Sequence, residues 1–298
     1  MAEDVPLLLR IGPAAEPAPA RAGRFQLGRL LGRGASSEVR EGWDPRARQR
    51  AAVKLLARAG DAAARTRLER EARLLARLDH PGVAAWVEAG LRAEPPWLAQ
   101  EALPGPGLDR VLALLRRASR QGAPEAVLAL PEAEGQRELL RLPASPGAWP
   151  ARWRLLLPAL ETLAALHRQG WLHLDLKPAH LVLDGLRRPR LTDFGLGCAP
   201  GEEAPERPGG TPGYGAPEQF REGPPRPSPA SDVHAFARIL LDFLVLEEGA
   251  LPPRRLPRAG RGPGRLLAAA LAPDPRRRPA DAGALLAEVQ DLLDAAGA

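Results

Sequence analysis

The order of apolar and polar positions divides the chain into an amino-terminal part of strands and a carboxy-terminal part of helices. Residues 25–31 (FQLGRLL) and 51–56 (AAVKLL) are short, mostly apolar segments typical of strands. Residues 61–78 carry leucine and alanine three and four positions apart, which predicts a helix with one apolar face. His80-Pro81-Gly82 would end that helix. We therefore expect the first hundred residues to form a sheet with one long helix.

Helical spacing dominates after residue 105. The predicted elements are helices over 108–117 and 151–169, a short strand over 181–183, a helix capped by Ser231 or Asp232, and a last helix ending near Leu293. Residues 118–149 are rich in Ala, Pro and Gly, and we expect them to form an insertion with at most a short helix of its own.

Length and composition are typical of a globular protein without a membrane span. The chain has 298 residues, of which 45% are apolar and 26% charged. The apolar run over 239–246 is interrupted by Asp242 and is too short to cross a membrane. Residues 1–23 begin acidic, continue rich in Pro and Ala, and predict a flexible tail rather than a secretory signal. We expect a cytoplasmic protein, and the single cysteine, Cys198, agrees with a reducing compartment.

The net charge of +6 raises the question of a nucleic-acid partner. Basic residues are spread along the whole chain, and aromatic residues make up only 4%, so few side chains are available for stacking on bases. A solvated basic surface explains the charge better, and we expect no nucleic-acid partner.

The identity of the basic residues carries more information than their number. Of 42 Lys and Arg residues, only Lys54 and Lys177 are lysine, and the chain contains no asparagine. This pattern indicates a GC-rich coding sequence, which replaces residues with AT-rich codons wherever a substitute serves. The ammonium group of lysine is a compact point charge and the guanidinium of arginine a planar fork, so we infer that arginine does not serve at these two positions.

The two carboxylates of residues 171–195 (WLHLDLKPAHLVLDGLRRPRLTDFG) are the first candidate site. Asp175, with Lys177 two residues later, and Asp193 lie in loops on either side of the strand over 181–183. This arrangement suits phosphoryl transfer, in which one carboxylate binds a metal, a second orients a hydroxyl, and a cation neutralises the charge that moves. The alternative is that these are ordinary polar loop residues.

Several other segments are weak signals alone, but their order along the chain is informative. Residues 32–39 read GRGASSEV, whose glycine pair more often marks a hairpin turn, and Glu71 lies in a helix where glutamate is usually exposed. Together the motifs resemble those of the eukaryotic-type protein kinase family over residues 25–293. They are GRGASSEV, the AVK at 52–54, Glu71, HLDLKPAH at 173–180, DFG at 193–195, APE at 216–218, the helix of Asp232, and Arg278.

The resemblance implies an α+β fold of two lobes. A small antiparallel sheet with one long helix would form the N-lobe over 24–101, and 101–105 would be the hinge. A larger helical C-lobe would occupy 106–295 and include the insertion at about 118–149. Glu218 and Arg278 would form a buried ion pair with an architectural role.

The resemblance also implies that ATP binds in the cleft between the lobes. Lys54, oriented by Glu71, would hold the α- and β-phosphates, and Gly32 and Gly34 would cover the phosphates. The adenine would lie against Val39, Ala52 and Val182, bond to the backbone near Glu101 and Leu103, and have Gln100 behind it.

The catalytic roles follow from the same resemblance. Asp193 would bind Mg²⁺, Asp175 would orient the substrate hydroxyl, and Lys177 would neutralise the transferring phosphoryl group. Lys177 together with Thr211 in the substrate-facing loop resembles the serine/threonine branch. The implied partner is a protein with a serine or threonine acceptor, and the sequence leaves the oligomeric state open.

His180 departs from the family pattern, which has asparagine as the second metal ligand at this position. Codon pressure alone would explain the change. Imidazole nitrogen is, however, a softer ligand than an amide oxygen, so we expect Mn²⁺ to support activity better than Mg²⁺ if His180 binds the metal.

Two further departures concern activation. Leu174 stands where many members have an arginine that binds a phosphate on the activation segment, and residues 196–210 contain no hydroxyl side chain. We expect no activating phosphorylation there, so that packing or a partner must order the segment. The acidic residues of the segment, Glu202, Glu203 and Glu206, are expected to form a solvated loop.

The leading interpretation is an active serine/threonine protein kinase. A catalytically silent or weakly active nucleotide-binding module is the alternative, supported mainly by His180. A small-molecule phosphotransferase is the third, and the APE segment with Arg278 argues against it.

Overall fold

The computed structural model describes residues 20–34, 36–57, 61–122, 125–129, 139–204, 209–246 and 262–297. Most of the tail expected over residues 1–23 lies outside these ranges. Within them, no helix is long and apolar enough to cross a lipid bilayer.

One antiparallel sheet forms the framework of the N-lobe. Its strands are β1 (Arg21–Ala22), β2 (Phe25–Arg33), β3 (Ser37–Asp44), β4 (Gln49–Leu56), β5 (Trp86–Gly90) and β6 (Trp97–Glu101), in the spatial order β1-β2-β3-β4-β6-β5. The buried ring of Phe25 meets that of Trp97 edge-on at 5.7 Å and packs with Val53 beneath the sheet. The strands predicted over 25–31 and 51–56 are confirmed.

The helix predicted over 61–78 is α1 (Ala62–Leu75), and it packs against the sheet. The carboxylate of Asp61 accepts a hydrogen bond from Ala64 N at 2.9 Å and caps the first turn. Leu68 and Leu75 lie on the buried face of α1, and the backbone leaves the helix three residues earlier than the apolar spacing predicts.

Helices build the C-lobe. They are α2 (Leu108–Arg120), α3 (Trp149–Arg168), α4 (Pro229–Leu244), α5 (Pro263–Ala270) and α6 (Ala282–Gly297). The central helix α3 packs against both α4 and α6, and its Trp153 is fully buried and donates to Leu240 O at 3.0 Å. The fold is therefore the expected two-lobed α+β arrangement.

A small hairpin joins the lobes at the floor of the cleft. Its strands are β9 (Leu181–Leu183), as predicted, and β10 (Pro189–Leu191). Gly105 N donates to Leu183 O at 3.0 Å, and Leu183 N donates to Pro106 O at 3.1 Å. These bonds fix the segment that leaves the N-lobe sheet directly against β9.

The prediction for residues 118–149 was wrong in its secondary structure. Helix α2 continues to Arg120, and β7 (Glu125–Ala129) pairs with β8 (Leu139–Pro143) as an antiparallel hairpin where at most a short helix was expected. Short apolar runs do not distinguish strand from helix by spacing, and backbone pairing between the two runs decides the outcome.

The predicted start of α4 was also wrong, although the Ser231 side chain does take part in the cap. The helix begins at Pro229, whose missing N–H suits a first turn, and Ser228 N donates to Ser231 Oγ at 3.0 Å. Ser231 and Asp232 therefore lie inside the helix. Both are completely buried, and both bind parts of the chain outside α4.

The predicted ion pair between Glu218 and Arg278 is confirmed. The guanidinium donates to both carboxylate oxygens, at 2.7 and 2.8 Å, and Ser231 Oγ donates to Glu218 Oε1 at 2.7 Å. Further bonds from Arg278 to Ala272 O and Ala230 O satisfy the guanidinium, so the pair joins three parts of the C-lobe without an unpaired charge.

Candidate active site

Three elements bring charged groups together in the cleft between the lobes. Lys54 extends from β4, Glu71 from α1, and Asp193 from the loop after β10. Lys54 Nζ lies 2.7 Å from Glu71 Oε2 and 3.0 Å from Asp193 Oδ2, so one ammonium links both lobes. The predicted contact between Lys54 and Glu71 is therefore present.

Burial and charge shift the pKa values of these groups. Burial tends to lower the pKa of Lys54, but the carboxylates of Glu71 and Asp193 outweigh this effect and raise it. Burial raises the pKa of Glu71 to about 7, against the opposing effect of Lys54. No group among the described residues forms a hydrogen bond with its buried Oε1. Lys54 lowers the pKa of Asp193 in spite of burial. Lys54 and Asp193 are therefore charged at neutral pH.

Alternation along the strands faces a second group of predicted residues into the cleft. Ala52 and Lys54 are two positions apart on β4 and share one face of the sheet. Val39 on β3 pairs with Lys54, and Gln100 on β6 pairs with Ala52. On the side of the cleft opposite the sheet, Val182 on β9 forms a backbone bridge with its neighbour Gly107.

The remaining predicted nucleotide residues lie at the rim of the same cleft. Gly32 pairs with Val39, and Gly34 N donates to Ser37 O at 2.7 Å. Among the described residues, apart from its two chain neighbours, a side chain at Gly32 would meet nothing within 4 Å, so its backbone lies beside open space. Glu101 ends β6 with Leu103 two residues beyond it, in the segment fixed against β9.

Asp175, Lys177 and Thr211 form one hydrogen-bonded group at the mouth of the cleft. Asp175 Oδ1 accepts from Thr211 N at 2.9 Å and from Thr211 Oγ1 at 2.8 Å. Lys177 Nζ donates to Thr211 Oγ1 at 2.8 Å and lies 3.5 Å from Asp175 Oδ2. Thr211 occupies Oδ1, whereas the contact of Oδ2 with Lys177 is long, so that Asp175 Oδ2 keeps a lone pair for a hydroxyl proton.

Asp232 anchors the backbone of the loop that carries Asp175. Its carboxylate accepts from His173 N at 2.8 Å and from Leu174 N at 2.7 Å, and His167 Nε2 lies 3.2 Å away. Leu174 has φ 61°, a left-handed conformation that a leucine adopts only when its surroundings hold it. Sequence reasoning placed Asp232 at a cap. One available signal was that it is one of two acidic residues in a mostly apolar helix.

His180 lies between the two carboxylates of the site. Its Nδ1 is 2.8 Å from Asp175 O, and because a carbonyl oxygen only accepts, Nδ1 carries the hydrogen. Burial lowers the pKa of His180 to about 4, so the neutral ring directs an Nε2 lone pair toward Asp193 Oδ2 at 3.4 Å. Two electron-pair donors that face each other without a proton between them suit a divalent cation.

That pair alone would supply only part of a metal site. In the part of the chain that the structure describes, no group of three or more His, Cys, Asp or Glu side chains could hold a metal ion. A cation between His180 and Asp193 would need further ligands from outside the protein side chains, such as phosphate oxygens or water. The donor set therefore fits a cation that enters together with a phosphate-bearing ligand.

Fold and site together are those of a domain with two lobes around one cleft. The chain belongs to the protein kinase domain family, whose model matches residues 25–250.

Curated relatives agree with this assignment. Serine/threonine-protein kinase PknL of Mycobacterium bovis is 30% identical over 227 residues, which cover 74% of this chain and 49% of the relative. DNA damage-responsive serine/threonine-protein kinase RqkA of Deinococcus radiodurans is 30% identical over 231 residues, 75% of this chain and 30% of the relative. Human receptor-interacting serine/threonine-protein kinase 3 is 40% identical over 114 residues, 36% of this chain and 22% of the relative. The chain spans about half the length, or less, of these relatives.

Proposed function

We propose that this chain is an ATP-dependent serine/threonine protein kinase. The observation that carries the proposal is the linkage of Lys54 to both Glu71 and Asp193, opposite a second group formed by Asp175 and Lys177. Membership of the family and the names of the relatives support it. None of the comparisons favours the alternative of a catalytically silent module.

The N-lobe residues would hold the nucleotide. Lys54, already oriented by Glu71, would bind the α- and β-phosphates, while the backbone of Gly32 and Gly34 would approach them closely. The adenine would lie between the sheet and β9 and bond to the hinge backbone. The residues proposed for the adenine are Val39, Ala52, Gln100, Glu101, Leu103 and Val182.

The C-lobe residues would direct the acceptor hydroxyl. Asp175 Oδ2 would accept the proton of a substrate serine or threonine hydroxyl. The oxygen of that hydroxyl would form a bond to the γ-phosphorus as the bond from this phosphorus to the β-phosphate oxygen breaks. Lys177 would neutralise charge on the transferring group, and Thr211 would keep Asp175 Oδ1 occupied. When bound, ATP would supply the phosphoryl group, and Mg²⁺ or Mn²⁺ held by Asp193 and His180 would neutralise phosphate charge.

Transfer of labelled phosphate from ATP to a generic protein tests the proposal. Wild type should label serine and threonine, and Asp175→Asn should lose nearly all of the transfer while it still binds nucleotide. Asp291→Asn, at an exposed position of α6, is the matched control and should label like wild type. Nucleotide binding without transfer by wild type would instead favour the silent alternative.

The metal preference tests the role proposed for His180. Because imidazole favours Mn²⁺ over Mg²⁺, we expect His180→Asn to lower the ratio of Mn²⁺ to Mg²⁺ affinity on the order of tenfold. Calorimetry with a non-hydrolysable ATP analogue measures both affinities without turnover. An unchanged ratio would reject His180 as a ligand and leave codon pressure as the explanation for the histidine.

We also propose that activity requires no phosphate on residues 196–210. Leu174 supplies no cation for such a phosphate, and the sequence offers no hydroxyl in the segment to carry one. The kinase would thus be of the type without an arginine before the catalytic aspartate. Mass mapping of the purified protein checks this expectation, and any autophosphate should lie elsewhere, at half-buried serines such as Ser36, Ser37 and Ser119.

A further inference from the structure

Gln219 follows the APE segment and is 1% exposed, although its side chain is polar. Its Nε2 donates to Leu174 O at 2.6 Å and to Gly209 O at 2.8 Å, and its Oε1 accepts from Ala216 N at 3.0 Å. The orientation of the amide is therefore fixed, because two carbonyls need the NH₂ and one N–H needs the oxygen.

These bonds join two parts of the site that the chain itself separates. Leu174 O is the carbonyl directly before Asp175, and Gly209 lies two residues before Thr211. Gly209 N also donates to the backbone oxygen of Gln219 at 3.2 Å, so Gln219 holds Gly209 through both of its backbone groups. One buried side chain thus connects the catalytic loop to the segment that faces the substrate.

The catalytic loop depends on such a connection because of its conformation. Leu174 is held in the left-handed region by Asp232 on its N–H side and by Gln219 on its C=O side. Loss of either bond would allow Leu174 to relax to an ordinary conformation. Relaxation would rotate the peptide that leads into Asp175 and move its carboxylate away from Thr211.

The acidic side chains of the segment are weaker candidates for this task. Glu202 pairs with Arg77 at 3.3 Å, and Glu203 pairs with Arg226, but all four side chains are substantially exposed. Exposed ion pairs contribute little and are screened by salt, whereas a buried amide with three satisfied bonds is costly to displace.

We propose that Gln219 is a positioning residue that holds the substrate-facing segment against the catalytic loop and takes the place of a phosphate on that segment. Neither part of a phosphate-dependent contact is present, since Leu174 lacks a cation and residues 196–210 lack a hydroxyl. The inference rests on the proposed kinase function, and it deepens that proposal by explaining how the site is assembled without modification.

Gln219→Met removes all three side-chain hydrogen bonds while the side chain keeps nearly the same length. Gln219→Glu replaces only the NH₂ group, by an oxygen that faces two carbonyls. In the exchange of backbone hydrogens, peptides that contain Gly209 and Thr211 should exchange about tenfold faster in Gln219→Met. In Gln219→Met we expect kcat to fall about tenfold or more and the affinity for ATP to change less than about twofold. In Gln219→Glu we expect a larger fall of kcat. Gln169→Met, at an exposed glutamine, is the matched control.

Two measurements keep the proposal open to rejection if Gln219→Met fails to fold. In wild type labelled at glutamine side chains, the NH₂ hydrogens of Gln219 should exchange much more slowly than those of Gln169. Phosphatase treatment should leave wild-type activity unchanged. The proposal is overturned by fast exchange of that NH₂ group, by loss of activity after phosphatase treatment, or by an equal fall of ATP affinity and kcat in Gln219→Met.

Failure of the proposed function can be told apart from failure of this inference. If wild type transfers no phosphate, the kinase proposal fails, while hydrogen exchange still decides whether Gln219 holds the segment. If wild type is active and exchange at Gly209 is unaffected by Gln219→Met, the inference alone fails.

Discussion

Lys54 and Lys177 are the two lysines of the chain, and the structure gives each a compact setting. Lys54 Nζ fits between two carboxylates at 2.7 and 3.0 Å. Lys177 Nζ lies 2.8 Å from the Thr211 hydroxyl and 3.5 Å from the Asp175 carboxylate. A planar guanidinium at either place would need more room and a different set of acceptors. The scarcity of lysine therefore pointed to two positions where geometry selects an ammonium.

Lys54→Arg tests this selection directly. The larger guanidinium cannot keep both carboxylate contacts, so we expect kcat/KM to fall on the order of 100-fold, as when a pre-organised charge is lost from a site. Steady-state kinetics measure the effect. Arg50→Lys, the reverse change at an exposed position on the same strand, should leave kcat/KM unchanged, and equal activity of Lys54→Arg would contradict the argument.

His234 on α4 predicts a dependence of stability on pH. Burial and the charge of Arg278 lower its pKa from 6.5 to about 4, and its Nδ1 bonds to Tyr214 O at 3.1 Å. The unfolded chain binds the proton first as the pH falls, so the contribution is present above pH 6.5 and is lost as the pH falls toward 4.

His234→Gln keeps a donor for Tyr214 O and removes the titration. Between about pH 6.5 and pH 5, wild type should lose about 1.5 kcal/mol more unfolding free energy than the variant. Urea unfolding at the two pH values measures the difference. Above about pH 8 the difference in unfolding free energy between the two proteins should be independent of pH. Parallel losses in both proteins would exclude His234 as the source.

The placement of side chains was predictable where a motif names them, and less so where a side chain binds backbone. Asp175, Asp193 and Lys54 were found from their order and spacing, and the structure brings them into one cleft. Asp232 and Gln219 bind backbone groups of Leu174 from distant parts of the chain. Such contacts depend on tertiary packing, which a single sequence does not reveal.

At the scale of elements, the hairpin of β7 and β8 is fixed to the C-lobe by a buried arginine of α3. Arg152 donates to Pro143 O and Ser145 O at the end of the hairpin and to Phe243 O and Leu244 O at the end of α4. It is fully buried, and burial lowers its pKa to about 10. Four carbonyl acceptors thus take the place of a carboxylate partner.

Arg152→Met would leave those carbonyls without a donor. We expect the free energy of unfolding to fall by about 3 kcal/mol or more, because each buried unsatisfied group costs about 1 to 3 kcal/mol. Chemical denaturation measures the loss. Arg154→Met, at an exposed position two residues further along α3, should cost less than about 1 kcal/mol, and similar losses at both positions would contradict the anchoring role.

The accuracy of the predicted elements followed the strength of their local signals. The helix over 61–78 has a repeated apolar face and was found within three residues, and the strand over 181–183 was found as predicted. The hairpin in the insertion has no strict alternation, so only backbone pairing defines it. The start of α4 was misplaced because Pro229 begins the helix before the polar residues that were expected to cap it.

At the scale of the whole molecule, the two-lobed architecture was predictable from the order of motifs and not from apolar spacing alone. Spacing gave a sheet-rich half and a helix-rich half. The way the halves meet follows from contacts such as the pair of Arg190 with Glu101, at 2.9 and 3.1 Å, and the bonds of Gly105 and Leu183. These join the hinge to the floor of the cleft.

The direct contact between Lys54 and Asp193 has a thermodynamic consequence for ligand entry. A phosphate bound by Lys54 would compete with Asp193 for the same ammonium, and that carboxylate would then be stabilised by another positive partner. Nucleotide and divalent cation should therefore bind with positive cooperativity, each about tenfold tighter in the presence of the other. Titration calorimetry with and without a chelator measures the affinity for nucleotide in the presence and absence of the cation. Equal affinities would show that the two ligands do not exchange counterions within the cleft.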